Sequence, residues 1–184
     1  YAEFMLKNAG EDSGAFAITN HGNMNSIGYM VATQKKYKAK GAPVKLIYGV
    51  EAYYVPSLDD WAKLKAQREE GVSSDLVIEN EKESKSKYFD PINRRHHLVL
   101  VAINQKGLQN LYRLVSRSYR QGFYRKPRID LAMLKELNEG IIASTACVAG
   151  VPTWVSLQTH ERGLEETFAM YDKELFPLME TFGK

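Results

Sequence analysis

Apolar residues along this chain come alternately as short unbroken runs and as helical stripes. Ala15-Phe16-Ala17-Ile18-Thr19 is a run that ends in the polar turn Asn20-His21-Gly22, the pattern of a buried strand. Over residues 24–40 the apolar positions Ile27, Met30, Val31 and Tyr37 fall on one side, lysines fill the last turn and Gly41 supplies a stop, which predicts a helix. Residues 44–55 predict a second strand, closed by Pro56, and residues 97–102 and 140–145 predict a third and a fourth. Helices are predicted over 108–119, where Leu108, Leu111, Tyr112 and Val115 share a face, and over 131–137, 151–158 and 163–180. This alternation argues for a parallel α/β sheet or barrel. In such folds the chemistry gathers at the carboxyl ends of the strands.

One stretch breaks the alternation. Residues 57–95 are dense in Asp, Glu, Lys, Ser and Arg and poor in large apolar side chains. Within it, residues 61–70 predict an exposed helix, and residues 73–87 a solvated insertion or mobile loop. The 184 residues suffice for one domain, and 44% hydrophobic with 26% charged is ordinary globular usage. No apolar run approaches the roughly 20 residues that cross a bilayer, and the start carries no secretory signal pattern. A single cysteine, Cys147, excludes an internal disulfide and suits a reducing, cytoplasmic setting. The net charge of +3 does not by itself demand a nucleic-acid partner. Tyr1 to Asn8 reads as the middle of a helix, and the chain stops at Lys184 where a strand would be expected next, so residues 1–184 are expected to be a single partial domain.

His21, Glu51, His97 and Cys147 each lie on, or just beyond, a separate predicted strand. These are ligand types for zinc and similar divalent ions. They are scattered, with no CxxC or HExxH pair, so spacing leaves plainer readings open. Cys147 could be a core residue, His21 a turn histidine and Glu51 a paired surface carboxylate. Of His96 and His97 only one can face inward, because strand neighbours point to opposite faces. A second candidate constellation is the basic aromatic stretch from Tyr119 to Arg128. Arg120, Arg125, Lys126 and Arg128 could meet the phosphates of DNA, with Phe123 or Tyr124 stacking on a base. In the plainer reading the aromatics pack beneath the loop while the cations are solvated or meet a neighbouring domain.

Six segments resemble, in order, the motifs of one family. Ala17-Ile18-Thr19-Asn20-His21-Gly22-Asn23 is similar to A-[LIM]-T-D-H-G-N, and Ile47-Tyr48-Gly49-Val50-Glu51-Ala52-Tyr53 to I-x-G-x-E-A-Y. His97-Leu98-Val99-Leu100-Val101-Ala102 resembles H-L-x-L-L-A, and Asn110-Leu111-Tyr112-Arg113-Leu114-Val115-Ser116 resembles N-L-x-x-L-x-S. Gly122-Phe123-Tyr124-Arg125-Lys126-Pro127-Arg128-Ile129-Asp130 is similar to G-F-Y-x-K-P-R-I-D, and Gly140-Ile141-Ile142-Ala143-Ser144-Thr145-Ala146-Cys147 to G-L-I-A-L-S-G-C. The family is the amino-terminal PHP domain of the bacterial DNA polymerase III alpha subunit. The segment from Gly122 to Asp130 is the most specific, being associated with replicative polymerases rather than free-standing PHP phosphatases.

The resemblance implies a distorted (βα)7 TIM-like barrel, present here in part, with up to three divalent metals (zinc, manganese or magnesium) at the strand ends. His21, Glu51, His97 and Cys147 match metal-ligand positions. Asn20 stands where the motif has aspartate; as a further candidate ligand it can offer a carbonyl oxygen, but no charge. The family's H-x-H segment would precede Tyr1 and its D-x-H segment would follow Lys184. The implied activity is a metal-dependent phosphoesterase, acting as a 3′–5′ proofreading exonuclease. The implied partners are DNA, the polymerase domains of the parent chain and replisome subunits, with no membrane. Two alternatives stay open: a catalytically silent platform that stabilises the polymerase, and a stand-alone phosphatase, against which the segment from Gly122 to Asp130 argues. No pair of palm-type carboxylates is visible, so nucleotide addition is not assigned to these residues.

Overall fold

The longest apolar run becomes the spine of the sheet. In the computed structural model, which describes residues 15–39, 44–71 and 92–183 (the side chains of 158–162 excepted), β2 (Lys45–Val55) has neighbours on both edges. Along one edge, β1 (Ala15–His21) pairs in parallel with Lys45 to Glu51, and β5 (Lys126–Asp130) continues in parallel along Tyr53 to Val55. On the other edge lies β3 (His96–Ala102), antiparallel, followed by β6 (Ile141–Ser144), antiparallel to β3. The short β4 (Phe123–Tyr124) forms a tight hairpin with β5, turning at Arg125.

The sheet is therefore mixed, not the all-parallel one that alternation suggested. β1, β2, β5 and β6 run one way and β3 runs against them. A parallel neighbour needs a crossover that carries the chain back to the starting end of the sheet. The connection from β2 to β3 instead brings the chain back at the end where β2 finished, with His96 opposite Tyr54. An apolar run carries no mark of direction, so the sequence pattern could not reveal this reversal. The described strands form one six-stranded sheet rather than a closed barrel.

Period-two alternation gives the sheet two unlike faces. Val50, Ala52, Tyr54, Leu98, Leu100 and Ile129 point into the main core. There they meet Leu111 and Leu114 of α3 (Gln105–Gln121) and Met133, Leu134 and Leu137 of α4 (Leu131–Leu137). Val151 and Val155 of α5 (Val151–Glu174) and Leu178 of α6 (Phe176–Phe182) join the same core. Leu100, Leu111, Leu134 and Val155 are wholly excluded from solvent, each worth about 1.5–3 kcal/mol of transfer free energy. A second cluster seats α1 (Ile27–Lys38) on β1 and β2 through Ile18, Met30, Tyr37, Val44 and Leu46.

The helices otherwise follow the expected pattern, with informative edges. α3 starts three residues earlier than its apolar stripe because Asn104 caps it, accepting from Gly107 N at 2.9 Å. Gly107 has no room for a side chain, since a Cβ there would fall 1.8 Å from the Gly140 carbonyl oxygen. The two helices expected over 151–158 and 163–180 correspond to α5, broken at Gly163 (φ 80°), and α6. The expected insertion over 57–95 divides. Its first part is α2 (Leu58–Glu69), capped by Ser57 and seated on the core by Leu58 and Trp61 rather than fully exposed. Trp61 is buried because its indole N–H reaches the Ile92 carbonyl at 2.9 Å. Residues 73–87, read as a solvated loop, lie outside the described residues.

Candidate metal centre

The face of the sheet turned away from the main core carries Glu51, Tyr53 and His97. Register places them: His21 is opposite Glu51, and Tyr53 is opposite His97. His21 is the last residue of β1. Its position is fixed by the Gly22 N–H donating to the Glu51 carbonyl at 2.8 Å and by the Asn23 amide donating to the His21 carbonyl at 2.9 Å. Gly22 has φ 66°, a left-handed conformation that favours glycine, and a Cβ there would lie 2.9 Å from the Tyr53 ring and 3.0 Å from Pro127. The chain leaves β2 at this point, which frees the edge that β5 then occupies.

Glu51 is the hub. Its Oε1 lies 2.7 Å from His97 Nδ1, and its Oε2 lies 3.5 Å from His21 Nε2. Cys147 Sγ lies 3.4 Å from His97 Nδ1 and 4.0 Å from Glu51 Oε1. One ligand atom from each of His21, Glu51 and His97 falls within 4.8 Å of the others. His97 comes from the amino end of β3, not a carboxyl end, because β3 runs backward and its start lies beside the ends of its neighbours. Cys147 follows β6 in a turn tied to His97 itself, whose N–H donates to the Ala149 carbonyl at 3.0 Å. The turn is tight: Ala146 takes φ 57°, and Gly150 donates to the Cys147 carbonyl at 2.8 Å.

Neutral imidazole, thiolate and carboxylate together are a zinc-type set, and ligands about 2.0–2.3 Å from a shared ion sit roughly 3.3–3.8 Å from one another. His97 and His21 lie 2.7 and 3.5 Å from the Glu51 carboxylate, so these three residues fit a divalent ion, with the Cys147 thiol beside His97 and Glu51 at 3.4 and 4.0 Å. Exposure is graded. Glu51 and His97 are 15% and 18% exposed at the side chain, while His21 is 59% exposed, so the centre opens to solvent on the His21 side.

Other sequence candidates fall elsewhere. Asn20 belongs to the opposite face of β1, and its amide donates to Ser26 Oγ at 2.9 Å. His96 points to the helix side, buried against Trp154 with ring centroids 5.0 Å apart. Burial, and then the nearby Arg94, push its pKa down to about 3, so it stays neutral. Arg128 is also enclosed: its guanidinium donates to the carbonyls of Tyr124, Lys126 and Ile92 and stands 4.9 Å from the Trp61 ring centroid. Tyr124 is half-buried between Trp61 and the cations Lys65 and Arg125, whereas Arg120, Phe123, Arg125 and Lys126 are exposed.

Two neighbours of the cluster, Tyr53 and Arg95, were not singled out in the sequence, and Lys126, read there as a candidate phosphate contact, joins them. The Tyr53 ring lies edge-on to His97, with centroids 5.2 Å apart, and stacks at 6.2 Å from His21. Arg95 and Lys126 stand over the same ring at 5.2 and 5.7 Å. The period of two that puts Glu51 and Tyr53 on one face could have found Tyr53. Nothing local in the sequence points to Arg95 and Lys126 meeting there.

The PHP domain family model matches residues 3–183. Among curated proteins, the chain is 34% identical over 163 residues to a DNA polymerase III subunit alpha of Aquifex aeolicus, covering 88% of this chain and 12% of that protein. It is 33% identical over 182 residues to the same subunit of Thermus aquaticus, covering 97% of this chain and 13% of that protein. For Deinococcus radiodurans the identity is 35% over 162 residues, with 88% and 10% covered. The chain thus spans only about an eighth to a tenth of the length of these relatives. With the family match covering nearly all of its length, this chain belongs to the PHP domain family and is homologous to part of the DNA polymerase III alpha subunits of many bacteria.

Proposed function

We propose that the cluster of His21, Glu51, His97 and Cys147 is a divalent-metal centre for phosphoester hydrolysis. Its substrate would be the phosphodiester at a DNA 3′ end, cleaved as a 3′–5′ exonuclease does. The convergence of His21, Glu51 and His97 from three separate strands, with Cys147 beside two of them, carries this reading. Histidine and cysteine suit zinc, and the carboxylate also suits manganese or magnesium. A bound divalent ion would polarise a phosphoryl oxygen and lower the pKa of a water.

The chain's own residues do the rest. Glu51 bridges the two histidines and holds both rings in place. Tyr53 walls the centre, and Arg95 and Lys126 beside it supply positive charge where a phosphodiester would approach. The open His21 side admits a chain end. DNA, the polymerase segments of a longer parent chain and replisome subunits are the partners this role implies.

Titration with zinc and manganese, followed by metal analysis after dialysis, tests the centre. Stoichiometric binding is expected, with a loss of about 10-fold or more in affinity for Glu51→Gln and Cys147→Ser. Asn20→Asp should leave affinity unchanged, since that side chain bonds Ser26 rather than the cluster. Release of nucleotides from a mismatched primer end by the metal-loaded full-length protein would establish the activity. A folded protein that binds no metal and releases nothing would instead be a silent platform.

A further inference from the structure

The outward face of α3 lies across the sheet from the metal centre. Arg113, Arg117 and Arg120 recur there at four- and three-residue spacing, spread along about 10 Å of helix at 1.5 Å per residue. They line a groove of about 390 Å³ between α3 and α4. The acid in its lining, Glu136, is held by Arg117 in a two-pronged pair, one arm 2.7 Å long. Arg113 and Arg120 therefore leave the groove with an excess of positive charge.

At the carboxyl end of α3, around the helix from the groove, lies an aromatic platform. Tyr119 and Phe123 stack on each other with centroids 5.7 Å apart and planes 17° apart. They remain 47% and 55% exposed. A cationic groove, with an exposed aromatic pair at the carboxyl end of the same helix, matches the chemistry of an unpaired nucleic-acid strand. Its phosphates follow the cations, and its bases offer flat faces to stack. A duplex keeps its base faces covered, and an acidic peptide has no use for the rings.

We propose that this groove binds single-stranded nucleic acid, with phosphates at Arg113 and Arg120 and a base on the Tyr119–Phe123 pair. This site extends the basic stretch expected from sequence in a different direction. Arg128 is enclosed in the fold, and Arg113 and Arg117 come from a part of the helix that lay outside that stretch.

Fluorescence anisotropy with labelled oligothymidylate tests the proposal on the purified chain. The assay is run in EDTA, so its outcome is independent of the metal centre. Binding is expected with a log–log salt slope of about −1.4, near −0.7 for each of two phosphates contacted. Arg113→Ala/Arg120→Ala should weaken binding and bring the slope close to zero. Phe123→Leu should weaken it roughly tenfold at unchanged slope. Circular dichroism and the melting temperature should be unchanged in both, since these side chains are exposed. Three results would overturn the proposal: no binding by the parent chain, which would leave this face to an acidic protein; a double variant with the parent's slope; or a duplex of equal length binding as tightly as the strand.

Discussion

Ala146 stands at φ 57°, one residue before Cys147, at the position where the motif it resembles has glycine. For a residue with a Cβ this left-handed conformation costs roughly 1–2 kcal/mol. Its methyl group is exposed, so the cost is one of backbone and not of packing. Ala146→Val should destabilise the fold by more than about 1 kcal/mol, because a branched side chain resists this φ far more strongly. Ala146→Gly should be neutral or slightly stabilising. Denaturant midpoints check both, and an unchanged midpoint for the valine variant would show that the turn re-forms around another φ. His21, Glu51, His97 and Cys147 were legible as one candidate ligand set only through motif resemblance. Their spacing was uninformative because the contacts that unite them are long-range: Glu51 and Cys147 are separated by 96 positions. Asn20 is the instructive opposite. It is adjacent to His21 in sequence, and the alternation of a strand sends it to the other face.

At the scale of elements, Asp130 joins two helices with one carboxylate. Its Oδ1 accepts from Met133 N at 2.9 Å and caps α4, while Oδ2 accepts from Leu58 N at 3.1 Å at the start of α2. Both bonds are buried, and the second spans 72 positions. Asp130→Ala should cost about 2–4 kcal/mol, combining a lost cap with an orphaned buried N–H. Asp130→Asn, which keeps one acceptor, should cost less. Chemical denaturation separates the two, and equal costs would show that a single oxygen carries the whole effect. The amphipathic helices α3 and α4 were readable from their 3.6-residue stripes, because that signal is local. The burial of Trp61 was not, because it depends on Ile92 and Arg128, which no window around α2 contains. The direction of β3 was hidden for the same reason.

Over the whole molecule, the sheet divides the labour: one face is apolar and covered by helices, the other carries the candidate ligands His21, Glu51 and His97. Charge on the covered side is costly, and Glu174 shows it. It is 6% exposed and faces Arg94 at 3.6 Å, with its second carboxylate oxygen buried and without a hydrogen-bond partner among the described residues. Burial raises its pKa, partly offset by Arg94 and Lys173. A carboxyl with a raised folded-state pKa favours the fold in its protonated form. That contribution is complete below the unfolded-state value near 4.5 and is lost as pH climbs through the folded-state value. Glu174→Gln removes this dependence. The parent's stability relative to the glutamine variant should therefore decline as pH rises from about 4 toward neutrality. Parallel denaturation series for the two proteins measure it, and a difference that is flat with pH would show that Glu174 titrates normally.

The Ile92 carbonyl has a consequence of a mechanical kind. It is gripped from two sides, by the Trp61 indole at 2.9 Å and the Arg128 guanidinium at 3.2 Å, only five positions before His97. The grip is an anchor bolt between the connection that precedes it and the strand that carries a ligand. Sequence upstream of the bolt can lengthen, shorten or take on a new binding duty without tugging His97 out of alignment. Strain arising before Ile92 is therefore absorbed at that anchor rather than passed on to His97.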